Sequence, residues 1–161
     1  MKKLLLVLAS TFSAMLIYAQ TSDAEAEAIV NLLGVQKREA IAKLVSVTGK
    51  DSVAFWKLYD EYTAKSVNVA KSRIQLYEKT AMSYGSMNAT IADSLARRYF
   101  DNRMKQEKSL EEYYTKIKAA TNATVAFEFY QAEVYILTQV RAQIMQQIPT
   151  YGEFMVSKKN K

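Results

Sequence analysis

The sequence predicts an all-α protein of four antiparallel helices joined by short turns. Three observations predict it. Only four glycines and one proline interrupt 161 residues, so long regular segments are expected. Apolar residues recur at spacings of three and four through four separate stretches, the period of an amphipathic helix. Turn signals separate those stretches: Thr48-Gly49-Lys50-Asp51, Tyr84-Gly85-Ser86-Met87-Asn88, and 119–123. No alternating run argues for a strand. With 50% hydrophobic and 24% charged residues the chain has a globular composition, and its length suffices for one domain with a real core.

Residues 1–19 read as a secretory signal peptide. Lys2 and Lys3 form a positive start, 4–18 is mostly apolar, and Ala19 is a small residue at the cut. The alternative is an uncleaved anchor, but the apolar run is shorter than the roughly 20 residues a spanning helix needs. No cysteine follows the run, which excludes a bacterial lipid-anchored form. The mature chain then begins near Gln20, and loss of Lys2 and Lys3 takes the net charge from +6 to +4. The expected location is the periplasm.

Residues 20–149 read as a single all-helical domain. The first helix is expected at about 25–46, behind an acidic stretch at 21–28 that suits a helix N-terminus. Ile29, Leu32, Leu33, Ala40, Ile41, Leu44 and Val45 give it helical spacing. The second, at about 50–83, has Thr48 as cap and Asp51 completing a weak capping box. Phe55, Trp56, Tyr59 and Tyr62 then fall on one face, and Val69, Leu76 and Tyr77 continue it. At about 1.5 Å per residue such a helix is on the order of 50 Å long, the length of a coiled-coil-like hairpin.

The third helix is expected at about 89–118, begun by Asn88, with Ile91, Leu95, Tyr99, Leu110, Tyr113, Tyr114 and Ile117 on its apolar side. Its middle, 97–112, is heavily charged. The fourth, at about 124–147, has Asn122 as cap and Phe129 seven residues later, as Phe55 follows Thr48. Ala126, Phe129, Tyr130, Val134, Leu137 and Ile144 are its apolar line, and Pro149 ends it. Residues 150–161 read as a flexible basic tail. Asn88-Ala89-Thr90 and Asn122-Ala123-Thr124 match glycosylation sequons but lie at helix starts, where capping explains them.

The chain has no cysteine and no histidine. That removes disulfides, a thiol nucleophile, the commonest general base and the commonest transition-metal ligand. Glu107, Glu111 and Glu112 stand among lysines and arginines and read as salt-bridge decoration. No glycine-rich phosphate loop is present. No catalytic residue, cofactor or metal site is expected, and an enzyme is the least supported class.

Two groups of residues are candidates for binding. The aromatics Phe55, Trp56, Phe129 and Tyr130 are expected in the core near the turns, while Tyr99, Phe100 and Met104, set among charges, are the better surface candidates. Arg73, Arg97, Arg98, Arg103, Lys105 and Arg141 could form a basic face that steers acidic partners; an ordinary solvated helix face is the alternative. Nucleic acid is a poor fit, because the chain reads as exported and carries no recognised binding motif.

Three short motifs carry a family resemblance. Val47-Thr48-x-x-Asp51 is followed by Ala54-Phe55-Trp56-x-Leu58-Tyr59-x-Glu61-Tyr62. Met87-Asn88-x-x-Ile91-Ala92 looks like a degraded second copy, and Asn122-x-x-Val125 with Phe129-Tyr130-Gln131-x-Glu133 like a third. With the closing Gln147-Ile148-Pro149, the chain resembles, over roughly 37–149, the Spy/CpxP-like family of periplasmic stress proteins. Within it the chain is most similar to an uncharacterised exported helical branch. The family's Leu-Thr-x-x-Gln pattern keeps neither its leucine nor its glutamine together in any copy here, and the His or Cys of zinc-responsive members is absent.

The resemblance implies an elongated, curved helical hairpin that dimerises into a cradle. It also implies ATP-independent, chaperone-like holding of unfolded or partly folded envelope proteins on an amphipathic helical surface. The alternative it implies is a non-enzymatic accessory regulator that docks on an envelope stress sensor or a sigma-factor regulator. A purely structural, self-associating envelope protein is a third class. Holding would act by reversible burial of client apolar area, worth about 25 cal/mol per Å².

Overall fold

The computed structural model describes residues 36–160. The expected signal peptide and the first part of the expected first helix lie outside the described residues. Every regular segment among the described residues is helical. In chain order they are α1 (36–44), α2 (Gly49–Ser83), a 3₁₀ turn (Tyr84–Ser86), α3 (Ala89–Ala120), α4 (Ala123–Gln147) and α5 (Tyr151–Lys159).

The helix starts follow from local chemistry. Asn88 caps α3 by accepting from the Ile91 amide at 3.0 Å. Asn122 caps α4 by accepting from the Thr124 and Val125 amides, both at 3.0 Å. These bonds satisfy donors that the first helical turn leaves free. Thr48 precedes α2 in an extended conformation, but its side chain makes no capping bond. The chain instead turns through Gly49 at φ 59°, a left-handed conformation that glycine adopts freely. Asp51 lies in the first turn, where its charge suits the helix dipole.

α1 ends two residues before the expected boundary. The Ser46 amide leaves the helical ladder and donates to Glu128 Oε2 of α4 at 2.6 Å. α4 ends where proline requires: Ile148, before Pro149, is extended at φ −119° and ψ 114°.

Cross-helix pairs fix the directions. Tyr62 meets Tyr113, Lys65 meets Glu112 and Arg73 meets Asn102, so α2 and α3 are antiparallel. Phe55 meets Phe129, Tyr62 meets Glu133 and Tyr84 meets Pro149, so α4 runs parallel to α2. Lys37 meets Glu133 while Ser46 meets Glu128, so α1 runs antiparallel to α4.

The main core sits at the end where α1 turns into α2 and α3 turns into α4. Ile41, Val45, Phe55, Tyr59, Tyr62, Leu110, Tyr113, Ile117, Val125, Ala126, Phe129 and Ala132 are buried together. The Phe129 ring stands edge-on to Tyr62 at 5.4 Å and to Phe55 and Tyr59 at 6.4 Å, a geometry that aromatic quadrupoles favour. Trp56 flanks this cluster, half-buried, with the Arg38 guanidinium 4.3 Å from its ring. Tyr130 departs from its expected core position and is 40% exposed. Phe129 and Ala132 already fill the core side of α4, and the neighbouring position points away from it.

The segment 150–160 departs from the flexible tail that was expected. After Pro149 the chain restarts as α5 through a capping box. The Glu153 amide donates to Thr150 Oγ1 at 3.3 Å, and the Thr150 amide donates to Glu153 Oε2 at 2.7 Å. The Thr150 amide, and then the Thr150 hydroxyl that donates to the same Oε2 at 2.8 Å, hold the Glu153 carboxyl below its ordinary value. Tyr151 and Phe154 then pack on the Tyr84 ring at 5.6 and 5.5 Å.

Candidate functional site

The structure distributes the expected binding residues over three places. The first is the outward face of α3. Phe100 is 64% and Met104 53% exposed, one helical turn apart. Arg97 and Arg103 are exposed beside them, and Arg97 Nε donates to Asp93 at 2.8 Å along the same helix. A phenylalanine and a methionine are left in water here with cations on both sides.

The second is a groove of about 340 Å³ between α2 and α3, lined by Asn68, Val69, Ser72, Leu76, Arg98, Asp101, Asn102 and Lys105. Arg98 and Lys105 stand on its α3 wall with Asp101 between them. The wall is polar because α3 carries its charged middle here, so the two helices meet without filling the space.

The third is interior, and it corrects two expectations. Arg73 is half-buried and donates from Nε to Asn102 Oδ1 at 2.9 Å. Burial first, and the charge of Arg141 on α4 second, lower the basicity of Arg73; Arg141 is also half-buried. Arg73 is not a free surface cation, because it projects toward α3, and Arg141 is withdrawn in part from solvent on α4. Tyr99 is likewise not a surface residue. Its hydroxyl lies 2.9 Å from Thr80 Oγ1, and its ring lies 5.7 Å from that of Tyr77. At that level α3 is drawn against α2 by tyrosines, and burial raises the Tyr99 hydroxyl pKa.

A further cluster was not expected from the sequence. Glu133 is fully buried and accepts from Tyr62 Oη at 2.8 Å and from Lys37 Nζ at 3.0 Å. The Lys37 ammonium lies 5.0 Å from the Tyr62 ring centroid and 5.8 Å from that of Tyr59. Burial first, and the Glu133 charge second, push the Tyr59 and Tyr62 hydroxyls well above the usual phenol range. Perturbed groups of this kind mark active sites when a cleft reaches them. None of these residues lines the α2–α3 groove; they bolt α1, α2 and α4 together. The signal available in the sequence was a glutamate four residues after Phe129, on the core side of a helix.

α4 also exposes Phe127, Tyr130, Val134, Tyr135 and Met145. Its apolar residues surround the helix, so their spacing selects no single buried face. Among the described residues no group of three or more His, Cys, Asp or Glu side chains is placed to hold a metal ion. No helix among them is long and apolar enough to cross a membrane. No protein-family model, curated protein or solved structure matches the chain.

Proposed function

We propose that the protein is an exported, Spy/CpxP-like helical binding protein of the periplasm. It holds unfolded or partly folded envelope proteins without ATP, as a homodimer of elongated, antiparallel helical hairpins. The observation that carries this reading is the exposed pair Phe100 and Met104 between Arg97 and Arg103 on α3. Apolar side chains kept in water give up that exposure when a client's apolar segment covers them, at about 25 cal/mol per Å². The flanking arginines raise the encounter rate with acidic segments, and salt weakens that steering. Methionine adapts its shape to varied clients.

Light scattering of a heat-unfolded client tests this, with the chain from Gln20 onward added at two salt concentrations and an inert helical protein as control. Suppression near stoichiometric ratio, weaker in salt and lost in a Phe100→Ser/Met104→Ser double variant, is the expected result. No suppression at several-fold excess would sink the holding function. The α2–α3 groove, with its fixed order of Arg98, Asp101 and Lys105, favours a second reading in that event. The protein is then a non-enzymatic accessory that docks on one envelope stress sensor or sigma-factor regulator. Crosslinking from the groove in the envelope would identify that partner as a single species.

A further inference from the structure

α4 differs from the other long helices in what it shows to water. Its charged residues are Glu128, Glu133 and Arg141. Glu128 is half-buried and accepts from the Ser46 amide, Glu133 is buried, and Arg141 is half-buried. Among the described residues, α4 is therefore a helix of 25 residues that exposes no charge. The outward faces of its neighbours are studded with cations: Lys57 and Lys79 on α2, and Arg97, Arg103 and Lys118 on α3, are all exposed. What α4 exposes instead is Phe127, Tyr130, Val134, Thr138, Ala142 and Met145. They recur at steps of three and four and so share one helix face. Tyr135 borders it. The large apolar side chains of this surface are 36–55% exposed.

Charge decides which partner suits such a face. It offers no cation to an acidic segment or to anionic lipid, so steering of the kind α3 provides is absent here. Two copies of this chain, each with a net charge of +6, repel wherever cations face cations. A face without cations is where they can meet. We propose that the outward face of α4 joins two copies of this chain, antiparallel, about a two-fold axis at the level of Ile136. The order of side chains is self-complementary in that arrangement. Phe127 meets Met145 of the second copy, a ring against a thioether. Tyr130 meets Ala142, the smallest residue of the face, and Val134 meets Thr138 beside the axis. The three rings Phe127, Tyr130 and Tyr135 offer about 200–340 Å², a third or more of the ~600 Å² per partner at which specific interfaces begin. Val134, Met145 and the polar residues between them add to that, and a contact at this end of the size range is reversible. The inference rests on the homodimer of the reading above and assigns its interface, which leaves Phe100 and Met104 of α3 free for clients.

Sedimentation velocity of the chain from Gln20 onward, over micromolar to submillimolar concentrations, tests it. The expected result is a monomer–dimer equilibrium. Val134→Lys sets two cations near the axis and should weaken the dimer by at least about 100-fold. Val53→Lys, at an exposed position of α2, should leave it intact. The chain has no cysteine of its own, so introduced thiols report the register. Positions 130 and 142 lie about 18 Å apart along one helix, too far for a disulfide within a chain. Oxidised Tyr130→Cys/Ala142→Cys should therefore run as a covalent dimer on a non-reducing gel, and each single variant as a monomer. A wild type that stays monomeric at the highest concentration overturns the proposal. So does a dimer that Val134→Lys leaves unchanged, or a covalent dimer formed by either single variant. If the wild type is monomeric and Val134→Lys abolishes suppression of client scattering, the face belongs to clients, and the proposal falls as well. Failure of the holding function looks different: a dimer that Val134→Lys splits, without any suppression of client scattering, supports this interface and refutes holding.

Discussion

Glu133 places a carboxylate in the centre of an aromatic core, and the fold depends on its two donors, Lys37 and Tyr62. Removing one member of such a set leaves a buried charge or hydroxyl without a partner. Glu133→Ala should therefore destabilise the protein by about 3–5 kcal/mol in urea unfolding. The double change Lys37→Met/Glu133→Met removes both charges and keeps the volume, and should be neutral or stabilising. Equal losses in the single and double variants would show that packing, not charge, sets the cost. Burial of the two neighbouring tyrosines, and the Glu133 charge after it, tie stability to alkali. The Tyr59 and Tyr62 hydroxyls have pKa values raised above the ordinary 10.0. A group whose pKa is raised on folding contributes its stability in full below the unfolded value and loses it as pH rises. Urea stability should hold to about pH 9 and fall above about pH 10, with part of the phenolate absorbance appearing only as the chain unfolds. At the acid end the sign reverses. Lys116, then Lys65, hold the Glu112 carboxyl down at about 2. Its contribution is present above the ordinary carboxyl range, is lost as pH falls toward 2, and is blunted by salt because all three side chains are exposed enough to be screened.

Helix starts separate what a sequence pattern can and cannot specify. Asn88 and Asn122 lie where a cap was expected, and both make the capping bonds. Thr48 satisfies the same pattern yet caps nothing, because a glycine with positive φ follows it and changes the local geometry. The two behave oppositely under substitution. Asn122→Ala orphans two amides and should cost about 1 kcal/mol, whereas Thr48→Ala should leave the urea midpoint nearly unchanged. A large loss at Thr48 would restore it as a cap. The α5 helix shows the converse error. Thr150-x-x-Glu153 after Pro149 is a legible start signal, but the run of lysines at the chain's end suggested a solvated tail. Tyr151 and Phe154 settle the matter by giving Tyr84 two aromatic neighbours, a tertiary contact that no local pattern encodes.

Periodicity located α2, α3 and α4 to within two residues at each end, since the spacing of apolar residues reports backbone period directly. It did not assign faces. Tyr130 and Val134 share their spacing with true core residues because α4 is apolar all round, and Arg73 and Arg141 read as surface cations because charge alone does not reveal which neighbours a helix meets. The outcome is a bundle with two unlike halves. The half that holds Phe55, Tyr59, Tyr62, Tyr113 and Phe129 buries apolar rings against one another. The half that holds Arg73, Asn102 and the α2–α3 groove buries fewer rings, with Ile74, Leu76, Leu95 and Ile144 as its apolar contacts, and relies as well on hydrogen bonds beside an open groove. Local opening follows the least apolar burial. Amide exchange should therefore be slowest at 55–62, 110–117 and 125–132. It should be at least about tenfold faster at 68–78 and 97–105, a gap of about 1.4 kcal/mol in opening free energy. The exposed Phe100 and Met104 lie on the more easily opened half, where, under the proposed holding function, the bundle would adjust around a bound segment. Uniform protection along α2 and α3 would mean that the two helices open as one rigid unit, and that the proposed holding function would have to work from a preformed surface.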